Sequence, residues 1–490
     1  MKRYFGVTTI GAHPVPPTRS LVSLLPMPTP KPRLLIIGLD CMEPSLVFDR
    51  WRADLPNLSR LMAAGSYGRM ESSIPAITVP AWSCMMSGRD PGELGIYGFR
   101  NRADRSYGKM AIADGRAVKV PRLWDLLGDA GWTVAALSVP GTSPPYPVNG
   151  SLVSCFLTPS RDVPYTHPPE LAAQINEWMP DFLLDVPEFR SEEKARILQN
   201  IYDLCNQRFD LAEKLIERDQ PDFLMLVDMG VDRIHHSFWK PMDPTHPQHE
   251  PGSPFANAIH DYYCHVDRRV GEILDKCDAE TAVLVVSDHG ARPLMGGICV
   301  NEWLIKWGYL TLKQPPSEPL PLDQVEVDWS RTKAWGAGGY YGRIFMNVQG
   351  REPQGVIPLA EYEQARSHLA DLLASIPTPD GQPMPNRVMK PQQIYQKVRG
   401  VAPDLIAYFD ELAWRSVGTV GDGSLYTTNN DTGPDDANHA PFGLMIFHDP
   451  RQPKGGQVLE GATLYDILPT LLHRYGLQPP ANLRGKILPI

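Results

Sequence analysis

The chain has 490 residues, 42% of them hydrophobic and 21% charged, a composition that supports large globular cores over two or three domains. A formal net charge of -9 excludes a general nucleic-acid coat, which needs a basic face. It leaves room for a small phosphorylated substrate, which one local cation site can hold.

Residues 1–31 carry no acidic side chain and are broken by six prolines, so they are expected to form a flexible extension rather than a folded element. Residues 34–39 are a continuous apolar run closed by Asp40, the pattern of a strand buried on both faces. Open α/β sheets bind ligands at that end of their strands, so Asp40 is either a ligand-binding carboxylate or the cap of the next helix. Residues 55–65 read as a helix ended by Gly65. The segment 74–82 then places Thr78 between Pro75 and Pro80, in a stiff turn that opens a helix. A hydroxyl there meets backbone N–H groups and a dipole that favours an anion. Thr78 is thus a candidate nucleophile, with helix capping as the alternative. A helix at 123–130 and a strand at 133–139 continue the alternation that marks a doubly wound sheet.

The pattern repeats after a long amphipathic helix at 191–218. The run 222–228 ends in Asp228, and Asp232 and His236 follow, four residues apart and on one face of a helical turn. His235 points elsewhere and reads as a packing residue. After a helix at 257–276, the run 282–286 leads into Ser287-Asp288-His289-Gly290, where adjacent Asp288 and His289 can face one cation. From about residue 296 the rhythm changes. Trp303, Trp307, Tyr309, a proline-rich loop and the glycine-rich stretch 336–342 mark an insertion, whose aromatic residues either line a substrate cavity or form its own core. The sheet is expected to resume at 436–447, with His439 in a loop before a strand, and to close with a helix at 465–472. The expected division is therefore a 1–31 extension, a catalytic core in two parts (32–295 and 436–490), and an inserted cap at 296–435. The seven cysteines show no CxxC spacing, which fits a reducing, cytoplasmic compartment without disulfides. No stretch approaches the ~18 apolar residues of a membrane span.

Asp40, Asp228 or Asp232, Asp288 with His289, and His439 thus stand at the ends of expected buried strands, with Thr78 among them. Mixed carboxylate and imidazole ligation without cysteine suits two divalent cations, Zn2+ or Mn2+. With these motifs in this order, and Thr-Val-Pro-Ala-Trp, Ser-Asp-His-Gly and Asn-His-Ala-Pro-Phe-Gly around Thr78, Asp288 and His439, the sequence resembles the alkaline phosphatase superfamily. Within it the likeness is to the type I phosphodiesterase/nucleotide pyrophosphatase branch and its phosphohydrolase or phosphomutase relatives, over roughly residues 33–490. The resemblance implies a doubly wound, mostly parallel α/β sheet with helices on both faces and an inserted cap. It implies one cation on Asp40, Thr78, Asp288 and His289, and the other on Asp232, His236 and His439. It further implies a hydrolase of phosphodiesters or phosphomonoesters that works through a phosphothreonine on Thr78. A phosphomutase or phosphotransferase of the same superfamily, and a silent metal-binding scaffold, are the competing readings.

The chain departs from the branch at Leu94-Gly95, where His-Gly is usual, and at Phe99, where a phosphate-binding asparagine is usual. Asn101, Arg100 and Arg102 are the neighbouring candidates for that role, and Tyr340 and Tyr341 are candidate substrate contacts. Thr78 lacks the Cys/Ser-x-Pro-x-Arg surroundings of sulfatases, which argues against that activity. The expected partner is a small phosphorylated substrate, with no nucleic-acid polymer and no membrane span. The sequence says nothing of oligomeric state.

Overall fold

Among the described residues ten strands join in one sheet: β1 (Leu34–Leu39), β2 (Ser66–Glu71), β3 (Val134–Leu137), β4 (Gly150–Val153), β5 (Thr166–His167), β6 (Phe223–Asp228), β7 (Ala282–Val286), β8 (Phe442–His448), β9 (Gln457–Val458) and β10 (Ala462–Thr463). They belong to a computed structural model that describes residues 33–490, so the expected extension at 1–31 lies outside the described residues. The strand order is β9-β2-β8-β7-β1-β6-β3-β4-β5, with β10 also against β2. The centre, β7-β1-β6-β3-β4, is parallel, while β8 runs antiparallel to β7 and to β2. The continuous apolar runs have the expected consequence: every residue of β1, β6 and β7 is buried, as in a sheet covered on both faces. Helices lie on both faces, so the α/β architecture expected from the sequence is the one observed.

The helices include α1 (Pro56–Ala64), α2 (Thr78–Ser87), α3 (Lys194–Asp219), α4 (Gly230–Met242) and α5 (Ala258–Lys276). The long α3 buries Ile197, Ile201, Leu204, Leu211 and Leu215 along one stripe, against α4, α5 and β6. Helix α2 is buried on every side and stops at Gly88, whose left-handed φ of 65° lets its N–H cap the Cys84 carbonyl. Its Trp82 lies across β1 at Gly38. A methyl group added to Gly38 would meet Trp82 Cη2 at 2.6 Å and Val227 Cγ2 at 2.8 Å. Gly38→Ala should therefore destabilise the fold by about 1–3 kcal/mol, the range for overpacking a tight core. Urea denaturation with a midpoint equal to wild type would refute this.

Residues 298–420 contribute a separate apolar cluster that includes Trp303, Tyr309, Trp335 and Phe345. A four-stranded antiparallel sheet belongs to this region, in the order Ala334–Ala337, Gly342–Met346, Leu405–Tyr408, Arg387–Met389. Of the two uses the sequence left open for its aromatic residues, Trp303, Trp307 and Tyr309 serve as the region's own core. A smaller cluster joins the region to the turn before α2: Ala76 and Ile77 pack with Tyr341, Tyr395, Ile406 and Tyr408. All seven cysteines are free thiols. Among the described residues no helix is long and apolar enough to cross a membrane.

Candidate active site

The parallel register puts three strand ends side by side. Leu39 pairs with Asp228 and Gly38 with Val286, so Asp40, the start of α4 and Asp288 emerge together at the carboxyl edge. A short antiparallel pair, Gly290–Pro293 with Ala437–Ala440, then sets Ala291 opposite His439. His439 therefore lies on a strand, where the sequence suggested a loop. Seven of the expected side chains meet here: Asp40, Thr78, Asp232, His236, Asp288, His289 and His439, all almost fully buried.

Each is held in place by its neighbours. Trp82 Nε1 donates to Asp40 Oδ2 at 2.6 Å, and the Cys41 amide donates to Asp288 Oδ1 at 3.2 Å. His289 Nδ1 meets the Gly290 carbonyl at 3.1 Å and His439 Nδ1 the Ala76 carbonyl at 3.0 Å. A carbonyl only accepts, so both rings carry the proton on Nδ1 and turn a bare Nε2 into the cluster. Burial pushes His289 down to about 4 and, with His289 beside it, His439 well below the usual imidazole range. Both are thus neutral imidazoles at physiological pH. The two rings stack with centroids 3.8 Å apart.

The carboxylates show the converse. Burial and the nearby Asp232 push Asp40 well above the usual carboxyl range, and burial with Asp40 does the same to Asp288. Burial acts on Asp232 in that direction too, but His236, Arg233 and His439 outweigh it and hold Asp232 well below its usual value. Arg233 donates to Asp232 Oδ2 at 2.5 Å and forks onto Asp185. His236 places Nε2 3.2 Å from Asp232 Oδ1 and Nδ1 2.6 Å from Asp435 Oδ1. Burial lowers its pKa, but Asp435, Tyr340 and Asp232 together lift it well above the usual range.

Four buried atoms of this cluster have no hydrogen-bond partner among the described residues: Asp40 Oδ1, Asp288 Oδ2, Asp232 Oδ1 and His439 Nε2. Burying polar atoms unpaired is costly, and these four converge. The ligand atoms of Asp40, Asp288 and His289 lie within 4.8 Å of one another, and so do those of Asp232, His289 and His439. An oxygen and nitrogen donor set of this kind fits two divalent cations. The grouping differs in two respects from the division implied by resemblance: His289 stands in both groups, and His236 is in neither, its Nε2 lying 3.2 Å from Asp232 Oδ1 at the edge of the second.

Thr78 is the first residue of α2, not its cap. Ile77 occupies the cap position, and among the described residues no side chain caps the helix. The capping alternative is therefore overturned, and the threonine hydroxyl instead lies 3.4 Å from His289 Nε2. The turn that presents it is braced from the 298–420 region. Tyr395 Oη donates to the Ile74 carbonyl at 2.7 Å, and the Ala76 amide donates to Tyr408 Oη at 2.8 Å.

Of the two carboxylates left open after β6, Asp232 joins the cluster. Asp228 is occupied by Tyr262 Oη at 2.7 Å and the Gly230 amide at 3.1 Å. His235 turns to Tyr263 Oη at 3.0 Å, as a packing residue does. Tyr340 lies over the site, its ring centroid 4.0 Å from that of His439 and 5.2 Å from that of His236. The other expected substrate contacts are placed elsewhere. Tyr341 is buried under the Thr78 turn and donates to the Tyr97 carbonyl. Asn101 spends both ends of its amide on a turn, accepting from the Tyr97 amide and donating to the Gly98 carbonyl. Arg100 is exposed on a short hairpin, and Arg102 is buried against Glu352. Sequence reasoning missed Asp435, the two arginines that pair with its Oδ2 (Arg190 at 3.2 Å and Arg415 at 3.6 Å), and Arg233. The only signal for the first was its place four residues before His439.

A family model described as "Type I phosphodiesterase / nucleotide pyrophosphatase" matches residues 34–435. No curated protein matches the chain by sequence. Among solved structures it is similar to human ectonucleotide pyrophosphatase / phosphodiesterase 5, with a TM-score of 0.55 and 14% identity over 93% of this chain and 97% of that one. It is also similar to phosphonoacetate hydrolase from Sinorhizobium meliloti 1021 in complex with phosphonoacetate, with a TM-score of 0.57 and 16% identity over 90% and 95% of the two chains. A murine ectonucleotide pyrophosphatase / phosphodiesterase 5 structure, an inactive threonine-to-alanine variant with AMP, is similar with a TM-score of 0.53 and 13% identity over 93% and 98%. Likeness at these identities concerns the fold.

Proposed function

The chain belongs to the type I phosphodiesterase/nucleotide pyrophosphatase family of phosphoric ester hydrolases, in the alkaline phosphatase superfamily, and from that premise we propose that it is a two-metal phosphohydrolase with Thr78 as nucleophile. The observation that carries this reading is the set of four converging buried ligand atoms with no hydrogen-bond partner among the described residues, beside one hydroxyl at a helix start. Asp40, Asp288 and His289 would hold one divalent cation, and Asp232, His236 and His439 the other, with His289 near both; the donor set suits Zn2+ or Mn2+. Such cations, when bound, neutralise the substrate's charge and favour the ionised hydroxyl.

The chain's own residues supply the rest. The first turn of α2 presents Thr78 Oγ1 together with a dipole that favours an anionic substrate. In the proposed reaction Oγ1 attacks phosphorus, the bond to the leaving oxygen breaks, and a phosphothreonine remains for water to cleave. The backbone carbonyls of Gly290 and Ala76 fix the tautomers of His289 and His439, and Asp435 fixes the ring of His236. The near-complete burial of these groups strengthens every electrostatic contact within the site. The substrate is proposed to be a small phosphodiester or phosphomonoester. In support, one structural neighbour is described with AMP and another with phosphonoacetate.

Chelation tests the reading. Prolonged treatment with a chelator should abolish hydrolysis of nitrophenyl mono- and diesters, and Zn2+ or Mn2+ added back should restore it. Turnover that persists in metal-depleted protein would refute the two-metal reading. An acceptor alcohol in the same assay separates hydrolysis from phosphoryl transfer, because transfer yields a new ester.

A further inference from the structure

Tyr340 sits in the turn between the strands Ala334–Ala337 and Gly342–Met346, and that turn is fixed. Gly339 exchanges backbone hydrogen bonds with Ser416 at 2.8 and 3.0 Å, and Asn438 Nδ2 donates to the Tyr340 carbonyl at 3.0 Å. The phenol is therefore delivered to the site by a rigid support. Its ring extends the stack of His289 and His439 by one more layer, with centroids 3.8 Å apart at the first step and 4.0 Å at the second. Thr78 Oγ1 lies 3.4 Å from the Nε2 of His289, the first ring of this row, and Tyr340 is the last. The phenol oxygen is 3.3 Å from His236 Nε2. The hydroxyl to be phosphorylated thus adjoins the first ring of this row, and the phenol belongs to the last. An in-line displacement needs its attacking and leaving oxygens on opposite sides of phosphorus.

The phenol also has a defined role as a donor. Arg190 Nη2 donates to its oxygen, so the O–H proton is the one the phenol gives away. Arg190 is itself held by Asp435 Oδ2 at 3.2 Å and by Thr432 Oγ1 at 2.8 Å, and its guanidinium lies 5.6 Å from the Tyr340 ring centre. Were His236 Nε2 to take up a cation, it could no longer accept from the phenol 3.3 Å away, and the O–H would turn to a bound substrate.

We propose that Tyr340 is a catalytic residue that donates a hydrogen bond to the oxygen leaving phosphorus, and that Arg190 is the residue positioning it. This rests on the reading of Thr78 as nucleophile. In the step assisted, Thr78 Oγ1, ionised with its proton already lost to solvent, forms the new bond to phosphorus, and the bond to the leaving oxygen breaks with its electron pair on that oxygen. The Tyr340 hydrogen bond stabilises the charge there, and water supplies the proton that completes the free alcohol. A second water then forms a bond to phosphorus and releases Thr78.

The test is a series of phosphate esters sharing one acid part, with leaving groups from nitrophenol through phenol to an alkyl alcohol. Wild type, Tyr340→Phe, Arg190→Gln, Arg190→Lys and Thr78→Ala are compared for kcat/KM, metal content and melting temperature. Tyr340→Phe should keep its metal and lose more activity the poorer the leaving group, with a loss at least about tenfold larger for the phenyl than for the nitrophenyl ester, as expected when a donor to developing negative charge is removed. Arg190→Gln should steepen the leaving-group dependence in the same direction, and Arg190→Lys should restore part of it. Losses parallel across the series, or metal lost from Tyr340→Phe, would overturn the inference while leaving the phosphohydrolase reading in place. A Thr78→Ala protein as active as wild type, or a wild type inert on the whole series, would overturn both.

Discussion

Thr78→Ala is expected to give a folded, metal-loaded protein whose turnover of its best ester falls at least about a thousandfold, or about 4 kcal/mol of transition-state stabilisation. The stability change should be small, because Thr78 is buried yet the cap position belongs to Ile77. A capping threonine would instead cost about 1 kcal/mol on truncation and leave catalysis intact. Thr78→Ser keeps the hydroxyl but loses the methyl group that restricts its rotamer, so partial activity should remain. Acid quenching during turnover should trap a phosphoryl group on Thr78 whenever the second step is slow enough for it to accumulate. Near wild-type hydrolysis by the alanine variant, measured alongside its melting curve, would end the nucleophile assignment.

His289→Ala should be nearly as damaging for a different reason. Its Nε2 lies 3.2 Å from Asp288 Oδ2, 3.8 Å from Asp40 Oδ1 and 3.4 Å from Thr78 Oγ1, and it groups with Asp232 and His439 as well. Losing a residue that merely supports a ligand costs about 10–100-fold in metal affinity, so losing a ligand shared between two positions should cost more. Elemental analysis should find both cations depleted, with activity lost in parallel. His236→Ala, by contrast, should deplete one. Full retention of two equivalents by the His289 variant would show that His289 binds neither cation.

The strand ends were legible because a strand buried on both faces writes an uninterrupted apolar run, and Asp40 and Asp288 interrupt such runs at a fixed edge. The choice between Asp228 and Asp232 was not. It depends on the angle at which α4 leaves β6 and on Tyr262, which approaches from α5 to claim Asp228. Asn101 has the right side chain for a phosphate contact, but its local turn already uses the amide, and composition does not reveal that. Arg190 and Asp435 sit in loops without periodicity. Their pairing arises only when segments remote in sequence close on His236. The two adjacent tyrosines of the glycine-rich turn were equivalent as sequence. The fold separates them, turning Tyr340 to the site and Tyr341 into the packing beneath Thr78.

That packing bears on how the protein can be re-engineered. Tyr341, Tyr395 and Tyr408 come from the 298–420 region, yet they are the struts on which the Thr78 turn rests. The region is thus not a cassette to be swapped for that of a relative in order to acquire a new substrate. A chimaera that replaces it wholesale would inherit foreign contacts under its own nucleophile, and would be expected to fold with an intact sheet and still turn over slowly on every substrate offered. Libraries aimed at specificity have a safer route: keep these three tyrosines and the strands that carry them, and vary the solvent-facing loops between them.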